Sequence, residues 1–329
     1  MKPRTRGIAP ANQPGKSAPQ PMAATGPKLT TIPTTTTYHV GPQLRAALHH
    51  GDWHMKLIFS RKGFDSSAGG VPSPIVEGRP ISLPIPTRMP TPITFGDLTE
   101  PIPTLIEQLT RGRHTRATPC HLDPDLDSSV RPRSPGWRGA LGQLAAAQSH
   151  LVGHGVGVGD LFLFWGLFRP VTQIQGHWSY EGQREHRVFG WLQIGEVFSL
   201  GVDGTHAAER NPWLEEHPHV RAGWTENNTL YIAADRLTLG GCKTHRPGFG
   251  LFNTGFRLTE SHAPSPSIWA VPDWLNPTRG GTGLTYHPLP RWSSSGTLRA
   301  AARGQEFVAD ISNRADALAW LDQLFAQET

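Results

Sequence analysis

Two stretches of this 329-residue chain carry side chains and backbone features of the kind that do chemistry. The first is Arg61-Lys62-Gly63-Phe64-Asp65-Ser66-Ser67-Ala68-Gly69-Gly70, directly after the apolar run Lys56-Leu57-Ile58-Phe59. A strand that runs into a Gly- and Ser-rich turn aims backbone N–H groups outward, where they can cradle an anion. Arg61 and Lys62 add positive charge, Ser66 and Ser67 offer hydroxyls, and Asp65 is a candidate base or metal ligand. Gly69 and Gly70 let the backbone approach a ligand closely. The spacing is neither that of a Walker loop nor that of a dinucleotide fingerprint. The plain alternative is a structural turn.

The second stretch is Cys120-His121, followed by Asp123, Asp125 and Asp127. The alternating Asp residues imitate the start of an EF-hand loop, but Ser128 stands where Gly is needed and Ser134 where the bidentate Glu belongs. Cys120 and His121 are adjacent, which is not zinc-finger spacing. His121, Asp123 and Asp125 are therefore candidates for a hydrolytic or phosphate-handling role, against the simpler reading of Asp-Pro turns. His177, His186, His217, His219, His245 and His287 show no H-x-x-x-H or H-E-x-x-H arrangement, read as surface or turn residues, and give no metal site. No G-x-S-x-G elbow is present. Trp165 and Trp191 are candidates to stack a base at the mouth of a barrel. No cofactor is assignable.

The elements that must position these residues are legible in part. Lys56–Phe59 reads as a short buried strand. From 71 to 104 the chain is dense in Pro, which cannot donate to a ladder, yet it also carries Ile75, Ile81, Leu83, Ile85 and Ile93, so it should wrap the core surface. Leu105–Leu109 reads as a short helix. Leu141–Leu151, Ala-rich and without Pro, reads as another helix, with Gln143, Gln148 and His150 as surface polar residues on or near it and Gly153 and Gly155 as its stop. Leu161–Phe168, Arg187–Phe198 and Leu230–Ala233 read as strands, with weaker ones at 250–252 and 256–258. A last strand at Glu306–Ala309 precedes a helix from about Arg314 to Phe325, capped by Ser312 or Asn313.

Composition sets the outer limits. Residues 1–54 are rich in Pro, Thr, Ala, Gly and Gln and cannot bury enough apolar surface to fold. They read as a tail outside the fold, or as sequence ahead of a true start at Met55, with 55–329 as one domain. Six of the 31 Lys and Arg and one of the 26 Asp and Glu fall in that tail, leaving 25 of each sign in the body. Overall basicity is thus no argument for nucleic-acid binding by the folded part. Two cysteines, Cys120 and Cys242, make no disulfide framework, suit a reducing cytoplasm and leave no disulfide-linked partner to expect. No apolar run approaches the roughly 20 residues of a membrane span. There is no apolar signal core, and the Pro content of the tail opposes an amphipathic transit helix.

Residues 56–75, Lys56-Leu57-Ile58-Phe59-Ser60-Arg61-Lys62-Gly63-Phe64-Asp65-Ser66-Ser67-Ala68-Gly69-Gly70-Val71-Pro72-Ser73-Pro74-Ile75, resemble the opening of the nucleotide modification associated domain family, type three. Leu109-Thr110-Arg111-Gly112, His121-Leu122-Asp123-Pro124-Asp125, Pro135-Gly136-Trp137 and the run from Gly159 to Arg169 resemble it as well. The resemblance covers 55–329. It implies a DNA base hypermodification protein of phage-associated and bacterial systems, with a nucleotide or modified DNA base as partner, and it transfers no catalytic residue. A second resemblance, of Gly157–Phe164 and Val188–Phe198 to the strand pair of PUA-like barrels of the EVE and ASCH groups, implies a fold that binds modified bases or RNA. The expectation is an α+β protein with a β-rich core that contains a PUA-like barrel, a few peripheral helices and long Pro-rich irregular segments. Two functions follow: an enzyme using Lys62, Asp65, His121, Asp123 and Asp125, or a non-catalytic reader holding a base against Trp165 or Trp191.

Overall fold

The structure is a computed structural model that describes residues 52–89, 91–220, 224–302, 304 and 306–327. The sequence expected to form a tail thus falls mostly outside the described residues. Where it is described, Trp53 joins the fold: it packs partly buried against the core, and its N–H donates to Asn313 Oδ1 at 3.0 Å.

The first half is built from short strands on a wrapping chain. They are β1 (Lys56–Arg61), β2 (Ser73–Val76), β3 (Arg79–Pro80), β4 (Ile85–Pro86), β5 (Cys120–His121) and β6 (Ala140–Gln143), with helix α1 (Ile102–Leu109) between β4 and β5. Helix α2 (Ala145–Gly153) leads into the long strands β7 (Leu161–Ile174) and β9 (Glu185–Ser199), joined through β8 (His177–Tyr180). Helix α3 (Thr205–Arg210) precedes β10 (Thr229–Ala233). The rest comprises β11 (Thr238–Leu239), β12 (Cys242–Lys243), β13 (Phe249–Arg257), β14 (Ile268–Ala270), β15 (Trp292–Ser293), β16 (Thr297–Arg299), β17 (Glu306–Asp310) and α4 (Ala315–Ala326).

Ten strands form one sheet with the main path β17-β1-β7-β9-β10-β6. Strand β1 pairs parallel to the first part of β7 and β2 parallel to its later part, Leu57 opposite Leu161 and Ser73 opposite Phe168. The chain between them, residues 62–72, therefore leaves the sheet and returns to it further along β7. Gly166 on β7 permits this, because a Cβ there would lie 2.7 Å from the Lys62 carbonyl. Among the described residues the sheet does not close into a barrel: β17 and β6 end the path and do not pair with each other.

The apolar run 161–168 is buried on both faces, which explains why it does not alternate with polar residues. Leu161, Leu163 and Trp165 face a cluster with Phe307, Trp269 and the α4 residues Leu318 and Leu321. Phe162, Phe164 and Phe168 face the opposite cluster with Leu141, Leu151 and Tyr231. The Pro-rich stretch does wrap the surface, building a third cluster of Phe64, Leu83, Ile93, Phe95 and Cys120.

Two local expectations are corrected. Residues 141–143 are not helical. They belong to β6, paired antiparallel to β10, and the helix begins only at Ala145, where the backbone has a φ of 53°. Nor do Ser312 and Asn313 cap α4. Their side chains accept hydrogen bonds from Met55 N–H and Trp53 N–H, and the residue before the helix is Arg314.

Candidate functional site

Along β1 and the residue that follows it, the side-chain alternation sends Ile58, Ser60 and Lys62 toward one face. The antiparallel pairing of Ser60 with Glu306 places Glu306 and Val308 on the same face. Ile58 and Val308 lie in the apolar cluster, so the face turns polar only at this end. The Ser60 hydroxyl donates to Glu306 Oε1 at 3.1 Å, Lys62 Nζ lies 3.5 Å from the same oxygen, and Gln143 Nε2 donates to it from β6. The first and last strands of the sheet path are thus tied by side chains where their backbones do not pair. Burial pushes the Glu306 carboxyl above its usual range despite the Lys62 charge, and its Oε2 has no hydrogen-bond partner.

A cavity of about 260 Å³ opens at this seam, lined by Arg61, Lys62, Asp65, Ser67, His121, Asp123, Gln143 and His219 among others. It joins the two stretches singled out in the sequence. His121 arrives on β5, whose two-residue ladder with β4 sets it opposite Ile85, so the Pro-rich wrap positions it. Asp123 follows two residues later, and its Oδ1 accepts the Gly142 N–H at 2.7 Å. His121 Nε2 and His219 Nε2 lie 3.8 and 3.9 Å from Asp123 Oδ2, and His217 Nε2 lies 3.5 Å from Oδ1. Burial works against the charge on Asp123, but the contacts of His121 and His217 and the charges around it outweigh burial and hold the carboxyl well below its usual range. Burial pushes His219 down to about 4, so the ring is neutral near pH 7.

His219 is held from three sides. Trp224 stacks on it with ring centres 4.8 Å apart, and the ring of His121 meets it edge-on. Its Nδ1 lies 2.7 Å from Asn228 Oδ1, and Asn228 Nδ2 donates to the His219 carbonyl. His121, Asp123 and His219 offer three donor atoms within 4.8 Å of one another, the one such group among the described residues able to hold a metal ion.

The remaining sequence candidates are placed differently. Asp65 Oδ1 accepts from Ser67 N–H, the Ser67 hydroxyl and Ala68 N–H, while Oδ2 pairs with Arg61. Burial raises its pKa, but these partners prevail and keep the carboxyl low, which makes it a weak base. The amides of Asp65 and Gly70 are used within the same loop, and the charges of Arg61 and Lys62 are met by Asp65 and Glu306. Ser66 is exposed, Gly69 packs against Phe64 and Gly70 against Arg113, and none of the three lines the cavity. Asp125 points elsewhere, held by both terminal nitrogens of Arg133 at 2.6 Å and by Trp137. Trp165 and Trp191 are core residues, 1% and 6% exposed, packed against Trp269 and Phe252 respectively.

The sequence reading missed His217, His219, Gln143 and Glu306. His217 and His219 are not surface residues but 6% and 3% exposed, and His186 and His287 are buried as well. Gln143 is a buried strand residue, and Gln148 is a buried helix residue whose Oε1 accepts from the Tyr231 hydroxyl at 2.9 Å. The available signal was a pair of short spacings, His121-x-Asp123 and His217-x-His219, which only the fold brings together.

Residues 56–310 match the family described as nucleotide modification associated domain 3. No curated protein and no solved structure matches the chain.

Proposed function

The chain belongs to the nucleotide modification associated domain 3 family, and from that premise we propose that it is an enzyme that modifies a nucleotide or a DNA base in the cavity at the sheet seam. The observation that carries this reading is the convergence of Lys62 and Arg61 with His121 and Asp123 in one cleft. A cation pair beside a histidine–carboxylate pair suits a phosphorylated substrate whose reacting group gains or loses a proton. Lys62 and Arg61 hold the anionic end of the substrate. His121 and Asp123 act at the reacting group, and Gln143, whose amide N–H is held by Glu306, offers its carbonyl oxygen to a base edge. The cavity is slightly below the roughly 300–1,000 Å³ usual for small-molecule sites, so it takes one nucleotide or one extruded base rather than a duplex. The balanced charge of residues 55–329 agrees with a small substrate better than with tight unspecific DNA binding.

A non-catalytic reader of the PUA-like kind is less well supported. It needs an indole open to a base, and Trp165 and Trp191 are enclosed by other side chains.

The test is nucleoside mass spectrometry of DNA and free nucleotides from cells carrying the chain or its variants. Lys62→Met, which keeps the apolar stem, and His121→Ala should each remove the modified species. If both leave the nucleoside profile as it is in the unaltered chain, the enzyme reading fails.

A further inference from the structure

We propose that His121, Asp123 and His219 bind a divalent first-row transition metal ion in this cleft. Two imidazole nitrogens and one carboxylate oxygen, one from each residue, are a donor set that suits zinc and its neighbours.

The hydrogen bonds fix which nitrogen of His219 is available. Asn228 Nδ2 donates to the His219 carbonyl at 2.8 Å, so the other end of that amide, Oδ1, is the atom facing His219 Nδ1 at 2.7 Å. An oxygen there can only accept, so Nδ1 carries the ring proton and Nε2 carries a lone pair. That lone pair faces Asp123 Oδ2 at 3.9 Å. Two acceptors set toward each other repel unless a positive centre lies between them. A metal ion between them satisfies both atoms. A neutral histidine whose outer N–H is anchored by an oxygen is the usual form of a metal ligand.

His217 differs. Its Nδ1 accepts the His219 backbone N–H at 3.3 Å, so its proton is on Nε2, facing Asp123 Oδ1 at 3.5 Å. With the Gly142 N–H on the same oxygen, Oδ1 is occupied and Oδ2 remains for the ion. His217 is therefore a positioning residue. The spacings of His121 and His219 from Oδ2 exceed hydrogen-bond length, and binding draws the donors in toward the ~2.0–2.2 Å bonds of zinc. An ion held here lies beside Lys62 and Gln143, where it can polarise a substrate oxygen.

The inference uses the cleft but not its nucleotide reading, because metal binding is measured with no nucleotide present. Full-length protein is stripped with a chelator and titrated with Zn²⁺ by calorimetry and with Co²⁺ by absorption spectroscopy, with circular dichroism as the check on folding. The unaltered chain should bind one ion tightly. His121→Ala, Asp123→Ala and His219→Ala should each abolish that site, and His217→Ala should weaken it by roughly 10–100-fold. Lys62→Met should not weaken it, so loss of nucleotide modification in that variant with metal retained separates the two readings. The proposal is overturned if the unaltered chain shows no one-to-one site, or if every ligand variant that remains folded binds as the unaltered chain does.

Discussion

Gly142 lies so close to the His219 ring that a Cβ on it would sit 2.1 Å from Cγ and Cδ2. The missing side chain on β6 is what admits the imidazole, and the same residue's N–H holds Asp123. Gly142→Ala should therefore act on the site more than on the sheet. The ring has to leave its place between Trp224 and the strand, at an overpacking cost of about 1–3 kcal/mol. Metal affinity and nucleotide modification should fall together while β10 keeps its pairing, which calorimetry and backbone hydrogen exchange would show. Ordinary Zn²⁺ binding by a folded Gly142→Ala protein would mean that His219 is not held by this contact. The sequence singled out His121 and Asp123, two residues apart, and both line the cavity, but it could not rank them above Asp125. What excludes Asp125 is Arg133, eight residues on, whose guanidinium takes both of its oxygens.

At the scale of elements, the loop 61–70 is a self-tied turn. Asp65 gathers Ser67 and Ala68 through three hydrogen bonds, and positive φ values at Gly63, Gly69 and Gly70 let the chain reverse. Its purpose in the fold is to carry Lys62 to the seam and bring the chain back to β2. Asp65→Ala should release the Ser67 and Ala68 amides, cost about 1–3 kcal/mol, and raise hydrogen exchange at those two positions. Urea unfolding and exchange measurements check this; unchanged exchange would show that the turn holds without its carboxylate. The strand β6 shows why the Ala-rich stretch misleads. Helix propensity is a weak preference, and four backbone-paired residues on β10 override it. The cap of α4 misleads for a similar reason, since Ser312 and Asn313 have partners 257 or more residues away.

At the scale of the molecule, the sheet curls until β17 and β6 meet through Gln143 and Glu306, and the cleft opens at that meeting. Among the described residues no helix is long and apolar enough to cross a membrane. Global stability should depend on pH through His287. Its Nδ1–H donates to the Thr285 carbonyl at 2.7 Å and its Nε2 accepts the Ala301 N–H at 2.9 Å, so both nitrogens are committed to the neutral ring. Burial pushes its pKa down to about 4, against about 6.5 in an unfolded chain. Between those values the unfolded chain binds a proton that the folded one refuses, so the contribution is lost as pH falls below about 6.5, by about 1.4 kcal/mol per unit. Urea unfolding at pH 7, 6 and 5 should show a steeper loss in the unaltered chain than in His287→Leu. The variant is less stable throughout, and the difference in slope is the quantity read; equal slopes would remove His287 as the cause.

The sequence by itself determined what depends on neighbours along the chain. The strand into the Gly-rich loop, the long apolar strands, the terminal helix, the Pro-rich wrap, the charge balance and the family all follow from local pattern and order. The pairing of Lys62 with His121 was a sequence hypothesis, and both residues line the same cavity. The tertiary structure alone decided the rest: that Glu306, 246 residues from Ser60, forms the polar end of the sheet face, that His219 reaches Asp123 while Asp125 turns away, and that Trp165 and Trp191 serve the core. The physical reason is that burial and lone-pair direction belong to no residue in isolation. A histidine becomes a ligand when an asparagine nine positions away fixes its proton, and a tryptophan becomes core when a sheet and a helix close over it.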